Sequence, residues 1–119
     1  MAIPNIVSVS SIYGTTTVAV LTTTLTTTII TAASDKVLKI NVIRCTNITD
    51  NDATVDFDVE VSGTHKKIAN EVTVPANSVV DIVDKNASFY LQETDLLRGG
   101  ASAATTIDVL VSYEIMDDA

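Results

Sequence analysis

Apolar and polar residues alternate with period two along much of this chain, the pattern of strands that bury one face. The clearest run is Thr54-Val55-Asp56-Phe57-Asp58-Val59-Glu60-Val61. Val55, Phe57, Val59 and Val61 fall on one face; Asp56, Asp58 and Glu60 fall on the other. The last long segment repeats it: Ile107, Val109, Val111, Tyr113 and Ile115 face one way and Asp108, Leu110, Ser112 and Glu114 the other. These two apolar faces are expected to share one dry interior. Lys36 to Asn47 is a third long strand. Leu38, Ile40 and Val42 alternate with Lys39 and Asn41, then the phase moves to Ile43 and Cys45 around Arg44. Either a bulge or a strand covered on both faces accounts for that shift.

Shorter strands fill the rest. Ile68 to Val74 and Ser78 to Val83 flank the turn-forming triplet Pro75-Ala76-Asn77, and Ala87 to Leu91 is a further short extended run. Asn51-Asp52 and Ser62-Gly63-Thr64 are turn signals. Arg98 to Ala104 is small-residue-rich and reads as a strand end followed by a turn. Thr15 to Thr31 is dominated by threonine, which is β-branched and favours strands. It reads as two short strands split near Thr23. No segment combines helix start signals with a sustained 3.6-residue period. Gln92 to Leu97 makes one helical turn at most. The expected fold is all-β: a single-domain antiparallel β-sandwich, jelly-roll-like, of about seven to nine strands. Residues 15–119 form the sandwich. Residues 1–14 are either an edge strand of that sheet or an arm reaching a neighbouring subunit, with Ile3, Ile6, Val9, Ile12 and Tyr13 as candidate interface anchors.

Composition narrows the function classes. The chain has 119 residues, 46% of them hydrophobic, enough to hold one core without metals or disulfides. Fifteen acidic residues against seven basic ones leave a formal net charge of -8. Such a chain is repelled by phosphate backbones, so no nucleic-acid partner is expected. No apolar run approaches the roughly 18 residues needed to span a membrane, so no membrane partner is expected either. The start, Met1-Ala2-Ile3-Pro4-Asn5, lacks the basic and apolar regions of a secretory signal. Cys45 is the only cysteine, which rules out an internal disulfide and fits synthesis in a reducing cytoplasm.

Candidate chemistry is sparse. His65 is the only histidine and lies in Gly63-Thr64-His65-Lys66-Lys67, a turn entering a strand. A His-paired nucleophile needs a thiol or hydroxyl beside it and a third orienting group, and no such spacing is present. One thiol and one imidazole do not build a zinc site. Asp56, Asp58 and Glu60 project from one strand with successive Cα atoms roughly 6.5–7 Å apart. They would hold calcium only if a loop carboxylate such as Asp50 or Asp52 converged on them. The simpler expectation is a solvated face, ion-paired across strands with Lys36, Lys39 or Arg44. Asn47-Ile48-Thr49 and Asn86-Ala87-Ser88 match the glycosylation sequon, which carries little meaning without a secretory signal. No catalytic residue, cofactor site or metal site is expected. Aromatics are few, with no Trp, so a sugar-stacking platform would have to come from Tyr13, Tyr90 or Tyr113, and Tyr113 is expected to pack in the core.

The opening Met1-Ala2-Ile3-Pro4-Asn5-Ile6-Val7 with Ile12-Tyr13-Gly14 resembles small virion structural proteins, of decoration type, from contractile-tailed marine cyanophages. Lys39-Ile40-Asn41-Val42-Ile43, Val74-Pro75-Ala76-Asn77-Ser78, Ser88 to Asp95 and Val111-Ser112-Tyr113-Glu114-Ile115 look similar to the same group. The resemblance implies a non-enzymatic bacteriophage structural protein. Its foremost form is a capsid decoration or cement protein, made in the host cytoplasm and carried on the capsid exterior. There it would bind the major capsid protein or other virion proteins as a homo-oligomer such as a trimer. A tail, neck or fibre-attachment component is the alternative within that group. A receptor- or carbohydrate-binding module is the alternative outside it.

Overall fold

The computed structural model describes residues 11–23, 25 and 27–117. They form nine strands and one short 3-10 turn. The strands are β1 (Ser11–Val20), β2 (Thr27–Thr31), β3 (Lys36–Asn47), β4 (Ala53–Val61), β5 (Thr64–Val74), β6 (Val79–Val83), β7 (Phe89–Leu91), β8 (Leu96–Ala101) and β9 (Ile107–Asp117). All pairings are antiparallel. One sheet runs β1-β9-β3-β6, with β7 also on β3, and the other runs β2-β8-β4-β5. With β7 set aside, this is the strand order of a jelly roll. The chain crosses between sheets at almost every connection, and β4–β5 is a hairpin within one sheet. The expected all-β sandwich is therefore the fold, and nine strands is the upper end of the expected number.

The core lies between the sheets and draws on both. Ile40, Ile43, Cys45, Val109 and Val111 come from the first sheet, and Val55, Phe57 and Leu97 from the second, all essentially without solvent contact. Tyr113 and Ile115 are half-buried and pack against that core, and the Tyr113 hydroxyl lies 3.0 Å from Thr17 Oγ1. Val61 departs from the expected pattern. It is 44% exposed, because the strand has run past the sandwich into the hairpin at Ser62-Gly63. Both turn residues have positive φ, 51° and 83°, the backbone of a two-residue hairpin whose twist matches its strands.

The phase shift in β3 is a bulge: its register against β9 slips between Ile40 and Val42. Three further segments are placed by the structure, with residues 11–14 taking the edge-strand alternative. Ser11 pairs with Asp117, so β1 continues through residues 11–14 and the sandwich begins before residue 15. Gln92 to Leu97 contains no helical turn; Leu96 and Leu97 open β8, and the 3-10 turn is at Lys85–Ala87. Arg98 to Ala101 lies in the middle of its sheet, between β2 and β4. At Gly99, on the inner face, the core leaves no room for a side chain. A Cβ at Gly99 would stand 2.8 Å from Phe57 Cε1 and 2.9 Å from Leu21 Cδ2.

Among the described residues the buried polar side chains are few and hydrogen-bonded. Asn47, 1% exposed, donates from Nδ2 to the carbonyls of Asn51 and Val74 at 2.8 and 3.0 Å, and its Oδ1 accepts from Thr49 N–H at 2.9 Å. It thereby ties the β3–β4 crossover to the end of β5. Asp95 accepts from the backbone N–H groups of Gln92 and Ser62, which fixes the turn before β8. No helix among the described residues is long and apolar enough to cross a membrane.

Candidate functional site

The two outer sheet faces have opposite chemistry. On the β2-β8-β4-β5 face, Asp56, Asp58 and Glu60 project from β4 as the alternation requires, but this is not a simple solvated face. Asp58 is 3% exposed and receives a bidentate pair from Arg98 of β8, through Nε at 2.9 Å and through Nη2. The fork geometry of guanidinium on carboxylate is what makes such burial tolerable. Hydrogen bonding to Asp58 holds the Arg98 guanidinium above its ordinary range. His65, the second residue of β5 rather than part of a turn, lies across the same row. Its Nδ1 is 3.6 Å from Asp58 and its Nε2 is 3.5 Å from Glu60. Lys67 reaches Asn70 at 2.8 Å and Asp56 at 4.0 Å. Asp56 also accepts from the N–H of Glu71, which sits at φ 49° in a β5 irregularity.

The partners expected for these carboxylates lie elsewhere. Lys36 pairs with Asp117 at 3.0 Å and Arg44 with Asp81 at 2.7 Å, both on the other sheet. Asp50 and Asp52 do not converge on β4. Asp50 accepts from Asn77 Nδ2 and Asp52 from the N–H of Ala76, so both pin the 75–77 turn. Among the described residues no three His, Cys, Asp or Glu side chains are grouped to hold a metal ion. Cys45 is buried inside the sandwich, where desolvation pushes its thiol up to about 12. His65 is on the outside of the opposite sheet, so the two do not form a catalytic pair. The Asn47 amide of the first sequon is consumed by the internal bonds described above.

The outer face of the β1-β9-β3-β6 sheet is different. Directly paired residues in antiparallel strands point to the same side. The register therefore sets Val18, Leu110, Arg44 and Asp81 in one row and Val20, Asp108, Thr46 and Val79 in the next. Val18 is 73% exposed, and Val20 and Val79 are also exposed. Val18, Val20 and Leu110 line an open groove of about 520 Å³ with Thr46 and Asp108 at its rim. At the other end of β1, Ile12 is 59% exposed and Tyr13 45%. Of the expected interface anchors, Ile12 and Tyr13 thus lie on this edge strand, and Ile3, Ile6 and Val9 fall outside the described residues. Val18, Val20 and Leu110 were not among those anchors. Their signal was the even-numbered phase of β1, hidden in a threonine-rich run. Tyr13 and Tyr90 make no aromatic cradle: they are three strand spacings apart and fall on opposite faces by register.

No protein-family model matches the chain, and no curated protein matches it.

Proposed function

We propose that this protein is a non-enzymatic structural subunit of a bacteriophage virion that docks onto the assembled capsid as a decoration or cement protein. The observation that carries this reading is the contrast between the two outer faces. One carries the charged row of β4 and β5 around the buried Asp58–Arg98 pair. The other presents the exposed Val18 and Val20 beside half-buried Leu110, with the Arg44–Asp81 pair next to them. Docking through a surface of this kind draws its affinity from a few apolar anchors. The jelly roll recurs in viral capsid and lectin domains, and fold alone does not choose between them. The separation of the exposed tyrosines weighs against the sugar-binding use. The resemblance of the chain to cyanophage virion proteins weighs toward the capsid use. Binding the assembled shell better than free subunits would stabilise the particle by mass action.

The test is a count of this chain in purified particles. Hundreds of copies per particle support a shell component. About a dozen or fewer would move it to the tail or neck, and none would remove it from the virion.

A further inference from the structure

We infer that β1 is a self-association edge, along which a second copy of this chain pairs antiparallel to make one continuous sheet across two subunits. An edge strand presents a row of backbone N–H and C=O groups that template another strand, and proteins normally blunt such edges. Three of the four edges here are blunted. β5 carries His65, Lys66, Lys67 and Glu71 and is broken by two register shifts. β2 has five residues and a bulge at Thr28/Ile30. The β6 edge is five residues long, carries Asp81 and slips at Ile43/Arg44. β1 has none of these devices. It runs ten residues in unbroken register with β9, without proline or charge, and no described residue pairs with its other side.

Charge selects the occupant. Residues 1–34 contain no Asp, Glu, Lys, Arg or His, so the whole net charge of -8 lies beyond them. Two copies meeting along β1 bring no charged side chain of that strand against another, whereas a meeting along β5 would oppose Lys66 and Lys67. Among the described residues the nearest acidic side chains, Asp108, Glu114 and the Lys36-paired Asp117, sit one strand inside, on β9. In the paired assembly the two sets stand about three strand spacings apart, roughly 14 Å, beyond the screening length at physiological salt. The strand is also self-complementary. Keeping outer faces matched requires a two-fold axis through a residue, and an axis through Thr16 sets Ile12 opposite the second copy's Val20 and Gly14 opposite its Val18. The exposed apolar residues of β1 then flank one another instead of water.

Light scattering on the full chain, with circular dichroism to check folding, tests this. The expected result is twice the 12.6 kDa of one chain. Thr16→Lys and Val18→Lys, both at exposed positions, should each return a single-chain mass with an unchanged spectrum. Thr16→Cys should cross-link the pair on oxidation, and Lys66→Cys on the β5 edge should not; buried Cys45 does not interfere. A single-chain mass for the unaltered protein, as when its own residues 1–10 cover the edge, would overturn the inference. So would a threefold mass, a dimer that survives both lysines, or cross-linking through position 66 in place of 16. A monomer would leave the virion reading standing, and absence from particles would leave the pairing standing.

Discussion

Gly99 of β8 lies directly opposite Phe57 of β4, so close that the Phe57 ring occupies the space a β-carbon would need. Phe57 and Leu21 are fully buried, and Ile29 Cδ1 closes the third side at 3.1 Å, so none of them moves freely. Gly99→Ala is expected to cost about 1–3 kcal/mol by overpacking. Adding Phe57→Leu should make that alanine nearly costless in the smaller background. Denaturant unfolding of the four combinations measures the coupling.

Among the described residues, Asp58 and Arg98 form the most buried ion pair, with side-chain exposures of 4% and 24%. Arg98→Met removes the bidentate partner of a buried carboxylate and is expected to lower stability. The double change Asp58→Leu with Arg98→Met should recover most of that loss, because no unpaired charge remains. If the double variant is as unstable as the single one, the pair does more than neutralise itself.

Asn47 holds the crossover between sheets through three backbone contacts. Asn47→Ala removes all three contacts at once and should cost about 1–3 kcal/mol. Amide hydrogen exchange should localise the loosening to the 47–53 connection and the end of β5.

The buried thiol makes stability fall on the alkaline side. Burial raises Cys45 from 9.0 to about 12, so above pH 9 the unfolded chain gives up this proton while the folded chain keeps it. Stability relative to Cys45→Ala should drop across that window, by at most about 1.4 kcal/mol per pH unit. Lys36, raised by its hydrogen bond to Asp117, also loses its contribution at high pH, but it does so in both proteins and cancels. On the acid side, Arg44 holds Asp81 below the usual carboxylate range, and that contribution disappears as pH falls through the folded value. A thiol reagent should leave the native chain unlabelled and label it once in denaturant.

The long strands β3, β4 and β9 were legible because strict alternation survives wherever a strand buries one face. The β4–β5 and β5–β6 turns were legible from Ser62-Gly63 and Pro75-Ala76-Asn77. What alternation does not carry is the identity of a strand's neighbours. Asp56, Asp58 and Glu60 read as one equivalent row, yet only Asp58 has an arginine beside it, because β8 and not β3 lies next to β4. Arg98-Gly99-Gly100 read as a strand end for the same reason, since small residues mark a turn or a crowded interior equally well. Threonine, half polar and half apolar, blurred the phase of β1 and with it the exposed row Ile12, Val18 and Val20.

On the function we propose, this sandwich seats its aliphatic sheet face on a virion shell. Cryo-electron microscopy of particles carrying the chain tests it most directly. The expected result is jelly-roll density repeated over the capsid, with the β1-β9-β3-β6 face against its neighbours and the Asp58–Arg98 face in solvent. Particles without this density, or with the ion-paired face seated on the shell, would contradict it.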